Sequence, residues 1–158
     1  MTTVDAPETP RWLDDTEQAV WRQYLSVMRL LPDLLSATLV RTHDLTLIDY
    51  EVLARLSEAP QRRLRMTELA EGALLSKSRL SHQISRMERD GLVRREPCET
   101  DGRGFFAVLT DAGWEKLLGA VPTHVADVRK NFVDPLDREQ LVALGDALDT
   151  IAKVLVER

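Results

Sequence analysis

Residues 66–113 read MTELAEGALLSKSRLSHQISRMERDGLVRREPCETDGRGFFAVLTDAG. Thr67 is placed to cap a very short helix over "ELAEGA", because its hydroxyl can accept from a free amide of the first turn. A turn follows at Leu74–Leu75. Ser76 then caps a longer helix from Lys77 to about Asp90, and Gly91 supplies the stop. "LVRREP" and "FFAVLT" have strand character. Gly102 and Gly104 in the intervening "ETDGRG" permit the positive φ that a tight hairpin turn requires. A short helix, a tight turn, a longer helix and a two-stranded hairpin form, in that order, a winged helix-turn-helix.

The longer helix has two faces. Leu80, Ile84 and Met87 recur at steps of four and three, which predicts a stripe packed on Leu69 and Leu92. Ser78, Arg79, His82, Gln83 and Arg86 lie opposite. Arginine can fork onto guanine and glutamine can pair with adenine, so this face suits base edges in a major groove. A merely solvated polar face has the same pattern. The helix N-termini at Thr67 and Ser76, with Lys77 beside the second, suit DNA phosphates, although capping alone accounts for both hydroxyls. Arg94 and Arg95 alternate on a strand, so one can face DNA while the other pairs with an acid such as Glu96 or Glu99. Arg103 sits at the hairpin tip, where it can enter a narrow minor groove, and Asp101 can accept from its guanidinium and aim it. Arg62, Arg63 and Arg65, in the link "QRRLR", are phosphate candidates or part of a solvated loop.

Charge distribution agrees with that shape. The chain of 158 residues carries a net charge of −5, which alone argues against a nucleic-acid partner. Between Pro60 and Gly104, however, ten basic residues face seven acidic ones, net +3, which leaves −8 for the rest. The flanking segments read as helices. Asp14 or Asp15 caps the first, whose apolar residues run Val20, Trp21, Tyr24, Val27, Met28, Leu31, Leu34, Leu35, Leu39. Pro32 is expected to kink or split it. "HDLT" at 43–46 reads as a break, and "LIDYEVLARLSEAP" as a helix that Pro60 ends. Thr110 starts another helix with a kink expected at Pro122, and Asp137 with Gln140 forms a capping box for the last. The stripe Leu141, Leu144, Leu148, Ile151, Leu155, joined by Leu117, Leu118, Val121, Val125 and Phe132, is more than a lone helix pair buries. An intramolecular core is one account of it; end helices flanking a small winged domain would instead leave an apolar face open for a second copy of the chain to cover.

Other classes find little support. No apolar run approaches the roughly 20 residues of a membrane span. The start, "MTTVDAPETPRW", lacks the pattern of a secretion signal, and Cys98 stands alone. These features predict a short disordered leader and a cytoplasmic protein. His43, His82 and His124 are far apart, and there is neither a Cys/His metal spacing nor a phosphate-binding glycine loop. The expectation is no enzyme, no metal and no cofactor.

Residues from about 45 to 115 resemble the MarR family of bacterial transcription regulators. The resemblance rests on Gly91-Leu92-Val93-Arg94-Arg95, the wing Asp101-Gly102-Arg103-Gly104, and Leu109-Thr110 with Gly113, in order after the helix-turn-helix. It implies a mainly α fold with a small β-hairpin wing, a winged helix-turn-helix domain flanked by N- and C-terminal dimerisation helices. The expected division is a leader at 1–13, an N-terminal dimerisation helix at 14–45, the DNA-binding domain at 46–112 and C-terminal dimerisation helices at 113–158. It also implies a homodimer on a pseudo-palindromic double-stranded operator, acting as a repressor released by a small aromatic or phenolic effector. Trp21, Tyr24 and His43, with Trp12, are candidates for that effector pocket, a core or interface role being the alternative for each. Family cysteines that sense oxidants lie near the first helix, so that role does not carry over to Cys98. A ligand-independent regulator or activator, or a protein–protein module that no longer binds DNA, are the alternatives.

Overall fold

The computed structural model describes residues 10–98 and 104–156. Helix α1 spans Asp15–His43. Asp14 Oδ1 accepts from Glu17 N at 2.8 Å, and Glu17 Oε2 accepts from Asp14 N at 2.9 Å, a complete capping box. The helix is not split at Pro32. The ring deletes one backbone bond, and the helix continues across it into the turns that buried Leu35 and Leu39 anchor beyond the proline. Asp44, at φ 51°, ends α1, and Thr46 caps α2 (Leu47–Glu58).

The link "QRRLR" holds a strand that the sequence did not reveal. After a single 3-10 turn at Pro60–Arg62, β1 (Arg63–Arg65) pairs antiparallel with β3 (Phe105–Leu109), which also pairs with β2 (Val93–Pro97). The sheet order is β1-β3-β2, with Leu64 opposite Ala107 and Arg95 opposite Ala107 on the other side. Three residues are too few to show alternation, so only the partner strand defines β1.

Helix α3 (Met66–Gly72) begins earlier than expected, which corrects the role of Thr67 as its cap. Thr67 is inside the first turn, and Arg65 N is satisfied by Glu68 Oε2 at 3.2 Å. Helix α4 (Lys77–Arg89) is capped by Ser76 and stopped at Gly91, whose φ is +74°. Helix α5 (Asp111–Val128) continues through Pro122 into one π turn, Arg129–Val133, before α6 (Arg138–Val156). Asp137 and Gln140 close the expected box at the start of α6, at 2.8 and 3.1 Å.

The core gathers Leu39 of α1, Val52, Leu53 and Leu56 of α2, Leu69 of α3, Leu80, Ile84 and Met87 of α4, and Leu117 and Ala120 of α5, with Val93, Ala107 and Leu109 from the sheet. Thr110 locks the hairpin to α5: it accepts from Gly113 N at 3.0 Å and donates to Gly91 O at 2.7 Å. Gly113 is required there, because a Cβ would meet Leu92 O at 2.0 Å. Helix α6 places none of its residues in this core.

Candidate nucleic-acid interface

Amphipathic α4 buries Leu80, Ile84 and Met87 against α2, α3 and the sheet, and this sets which residues face out. Ser76 Oγ accepts from Arg79 N at 3.3 Å and fixes the first turn. Ser78, Arg79 and His82 are exposed. Gln83 and Arg86 are half-buried and turn toward Asp49, a charged side chain only 1% exposed. Asp49 Oδ1 accepts from Gln83 Nε2 and from Arg86 Nη2, the latter at 2.6 Å. Its Oδ2 accepts from Thr46 N at 2.8 Å and Thr46 Oγ1 at 2.7 Å. One carboxylate therefore closes the start of α2 and ties the middle of α4 to it. The five residues proposed for base contact thus divide into three that are open and two held by an acid. The sequence carried one signal for Asp49: Thr46-Leu-Ile-Asp49 is a capping box, with the acid three residues after the hydroxyl.

The wing base divides similarly. Arg94, on the outer face of β2, is exposed and pairs with Glu96 at 2.5 Å, so both arginines are paired with acids where strand alternation predicted one. Arg95, on the inner face, bonds to Glu88 of α4 at 2.7 Å, to Ser81 O at 3.0 Å and to Ser85 Oγ at 3.0 Å. Its guanidinium braces the hairpin against α4, and Glu88 is the acid that sequence reasoning missed. Arg62 lies 4.3 Å from the Trp114 ring centroid, and Arg63 and Arg65 lie 4.8 and 5.6 Å from that of Phe106. These three arginines therefore rest on aromatic faces. Thr67 and Lys77 are exposed and, with Arg65, Ser81, Arg95 and buried Cys98, line an open cleft of about 440 Å³ near the start of α4. Arg103 and Asp101, the expected wing contact, lie outside the described residues.

A MarR-family model matches residues 43–104. Among curated relatives, the transcriptional regulator HosA of Escherichia coli is 35% identical over 97 residues, 61% of this chain and 70% of HosA. Two solved structures from Streptomyces coelicolor are similar over nearly the whole chain. AbsC, a MarR family transcriptional regulator, is 51% identical with a TM-score of 0.89, over 94% of this chain and 100% of that one. Sco3205, a regulator of the same family solved in complex with DNA, is 46% identical with a TM-score of 0.90, over 94% and 92%.

The chain belongs to the MarR family. It is a transcriptional regulator, not an enzyme. No helix among the described residues is long and apolar enough to cross a membrane.

In this MarR-family chain the residues proposed for an effector pocket do not come together. Trp21 and Tyr24 stack at 5.7 Å near the start of α1 and are both exposed, as is Trp12. His43 lies 19 residues beyond Tyr24, about 28 Å along the helix axis at 1.5 Å per residue. It meets α5 instead, with Nε2 2.8 Å from Thr123 Oγ1. The next residue, His124, packs its ring on Tyr50 of α2 at 4.1 Å. His124 Nδ1 is buried with no hydrogen-bond partner among the described residues. Burial lowers the His124 pKa against an opposing pull from Asp127, and burial followed by Glu58 raises that of Tyr50. Burial therefore favours the neutral form of both rings. Among the described residues no group of three or more His, Cys, Asp or Glu is placed to hold a metal ion.

Proposed function

We propose that the protein is a homodimeric, sequence-specific regulator of double-stranded DNA that acts as a repressor and is released by a small aromatic effector. The observation that carries the reading is the exposed polar side of α4: Ser78, Arg79 and His82 stand clear of the core on a capped helix of groove width. These three are assigned to base edges. Ser76, Lys77, Thr67 and Arg94 are assigned to phosphates, and Arg103, aimed by Asp101, to the minor groove. Gln83, Arg86 and Arg95, engaged by Asp49 and Glu88, hold α4 at its angle. That Sco3205 was solved with DNA supports the reading.

The dimer is assigned to α1, α5 and α6. Val20, Trp21, Leu25, Met28, Leu118, Val125, Leu148 and Ile151 are exposed there, which favours a partner of the same kind. The effector is assigned to the junction of α1, α2 and α5, where His43, Thr123, Tyr50 and the unpaired His124 nitrogen meet. A ligand preferring one spacing of the two α4 helices would shift the dimer away from the operator.

Selection of bound sequences from random duplex DNA tests the reading. The expected result is an imperfect palindrome with half-sites about 10 base pairs, or 34 Å, apart. Arg79→Ala should relax the preference and Arg103→Ala should weaken binding on all selected sites. If no sequence is enriched at low salt, the assignment is wrong.

A further inference from the structure

The turn between α3 and α4 holds an outlier. Leu74 has φ +53°, in the left-handed region that a bulky side chain avoids. Its amide donates to Glu71 O at 3.2 Å, and that of Leu75 donates to Ala70 O at 2.9 Å. This is the pair of bonds that ends a helix with a left-handed residue, a place ordinarily filled by glycine. Leu75 turns inward against the core. Leu74 turns outward and is 92% exposed, the most exposed large apolar side chain among the described residues. The two bonds hold a left-handed backbone that a leucine adopts only at a cost, and the side chain they present is almost fully hydrated. The position itself is informative. Leu74 stands two residues before Ser76, the cap of α4, and three to five residues before the exposed Lys77, Ser78 and Arg79.

We propose that Leu74 is a specificity contact, an apolar side chain held out at the groove to receive the 5-methyl group of a thymine. The inference rests on the reading of α4 as the DNA-recognition helix and adds what that reading lacks, an apolar discriminator among charged and hydroxyl groups. The methyl group is the one apolar feature of the major-groove edge, so a leucine beside the groove distinguishes thymine from cytosine without a hydrogen bond.

The test uses the full chain and the operator recovered by selection. Leu74→Gly and Leu74→Asn both accept the left-handed backbone. Each should melt at or above the temperature of the parent protein, because strain is relieved, yet bind the operator roughly fivefold to tenfold more weakly. Thymines are then replaced by uracil one position at a time, which deletes only the methyl. The parent should lose several-fold in affinity at one position in each half-site, and the two variants should be indifferent there. Equal operator affinity of parent and variants, or no uracil-sensitive position, overturns the proposal while leaving α4 as the recognition helix. A parent protein that retains no duplex at low salt overturns both.

Discussion

Asp49 illustrates how much one buried side chain arranges. Its carboxylate accepts from Thr46 twice, from Gln83 and from Arg86, so it completes the box that Thr46 opens at the start of α2 and ties α4 to it. Arg86 is 40% exposed as a side chain, so water weakens the ion pair, and most of the value lies in the hydrogen bonds around a nearly inaccessible acid. Asp49→Ala removes the acid half of the capping box and takes the acceptor from four donors, two on Thr46 and one each on Gln83 and Arg86. It should cost about 2–3 kcal/mol, read as a lower urea midpoint at unchanged slope. It should also blunt discrimination between operator variants, because α4 loses its angular restraint. Gly113 acts at the same scale: its missing Cβ is what lets α5 begin against the carbonyl of Leu92.

Helices α1, α2 and α5 meet through paired rings and hydroxyls. His124 is enclosed by Tyr50 of α2 with Asp127 on its own helix, and burial depresses its pKa from 6.5. Folded protein therefore binds fewer protons here than unfolded protein does, and stability rises with pH through this group. The expected outcome is loss of thermal stability as the pH falls below about 6.5. His124→Phe, which keeps the ring contact and removes the titrating nitrogen, should flatten that part of the profile in melting experiments across pH. The brace from Arg95 to Glu88 belongs to this scale too, since it fastens the wing to α4 and leaves Arg94 as the outward-facing arginine of the strand.

The whole chain divides its charge and its apolar surface between different places. The segment from Pro60 to Gly104 is net positive in an acidic protein, and exposed apolar residues collect on α1, α5 and α6. Among the described residues helix α6 contributes nothing to the core, and its stripe at Leu148, Ile151 and Leu155 is exposed, as the proposed dimer requires. Ile151→Glu should therefore leave the secondary structure of the chain intact and shift it toward monomer in sedimentation. Operator affinity should fall by far more than single half-site affinity, because two linked recognition helices act at high effective concentration.

What the sequence by itself determined is what local rules govern. The caps at Asp14, Ser76, Thr110 and Asp137, the stop at Gly91, the buried stripe of α4 and the two hairpin strands each depend on residues a few positions apart. The tertiary structure decided which polar side chains are available. Gln83 and Arg86 sit on the face that periodicity assigns to DNA, and in the folded chain both also bond to an acid 34 and 37 residues earlier. The start of α3 and the existence of β1 depend likewise on what packs beside them. A polar group on a helix satisfies itself with water or with the nearest buried partner, and only the folded chain brings that partner near.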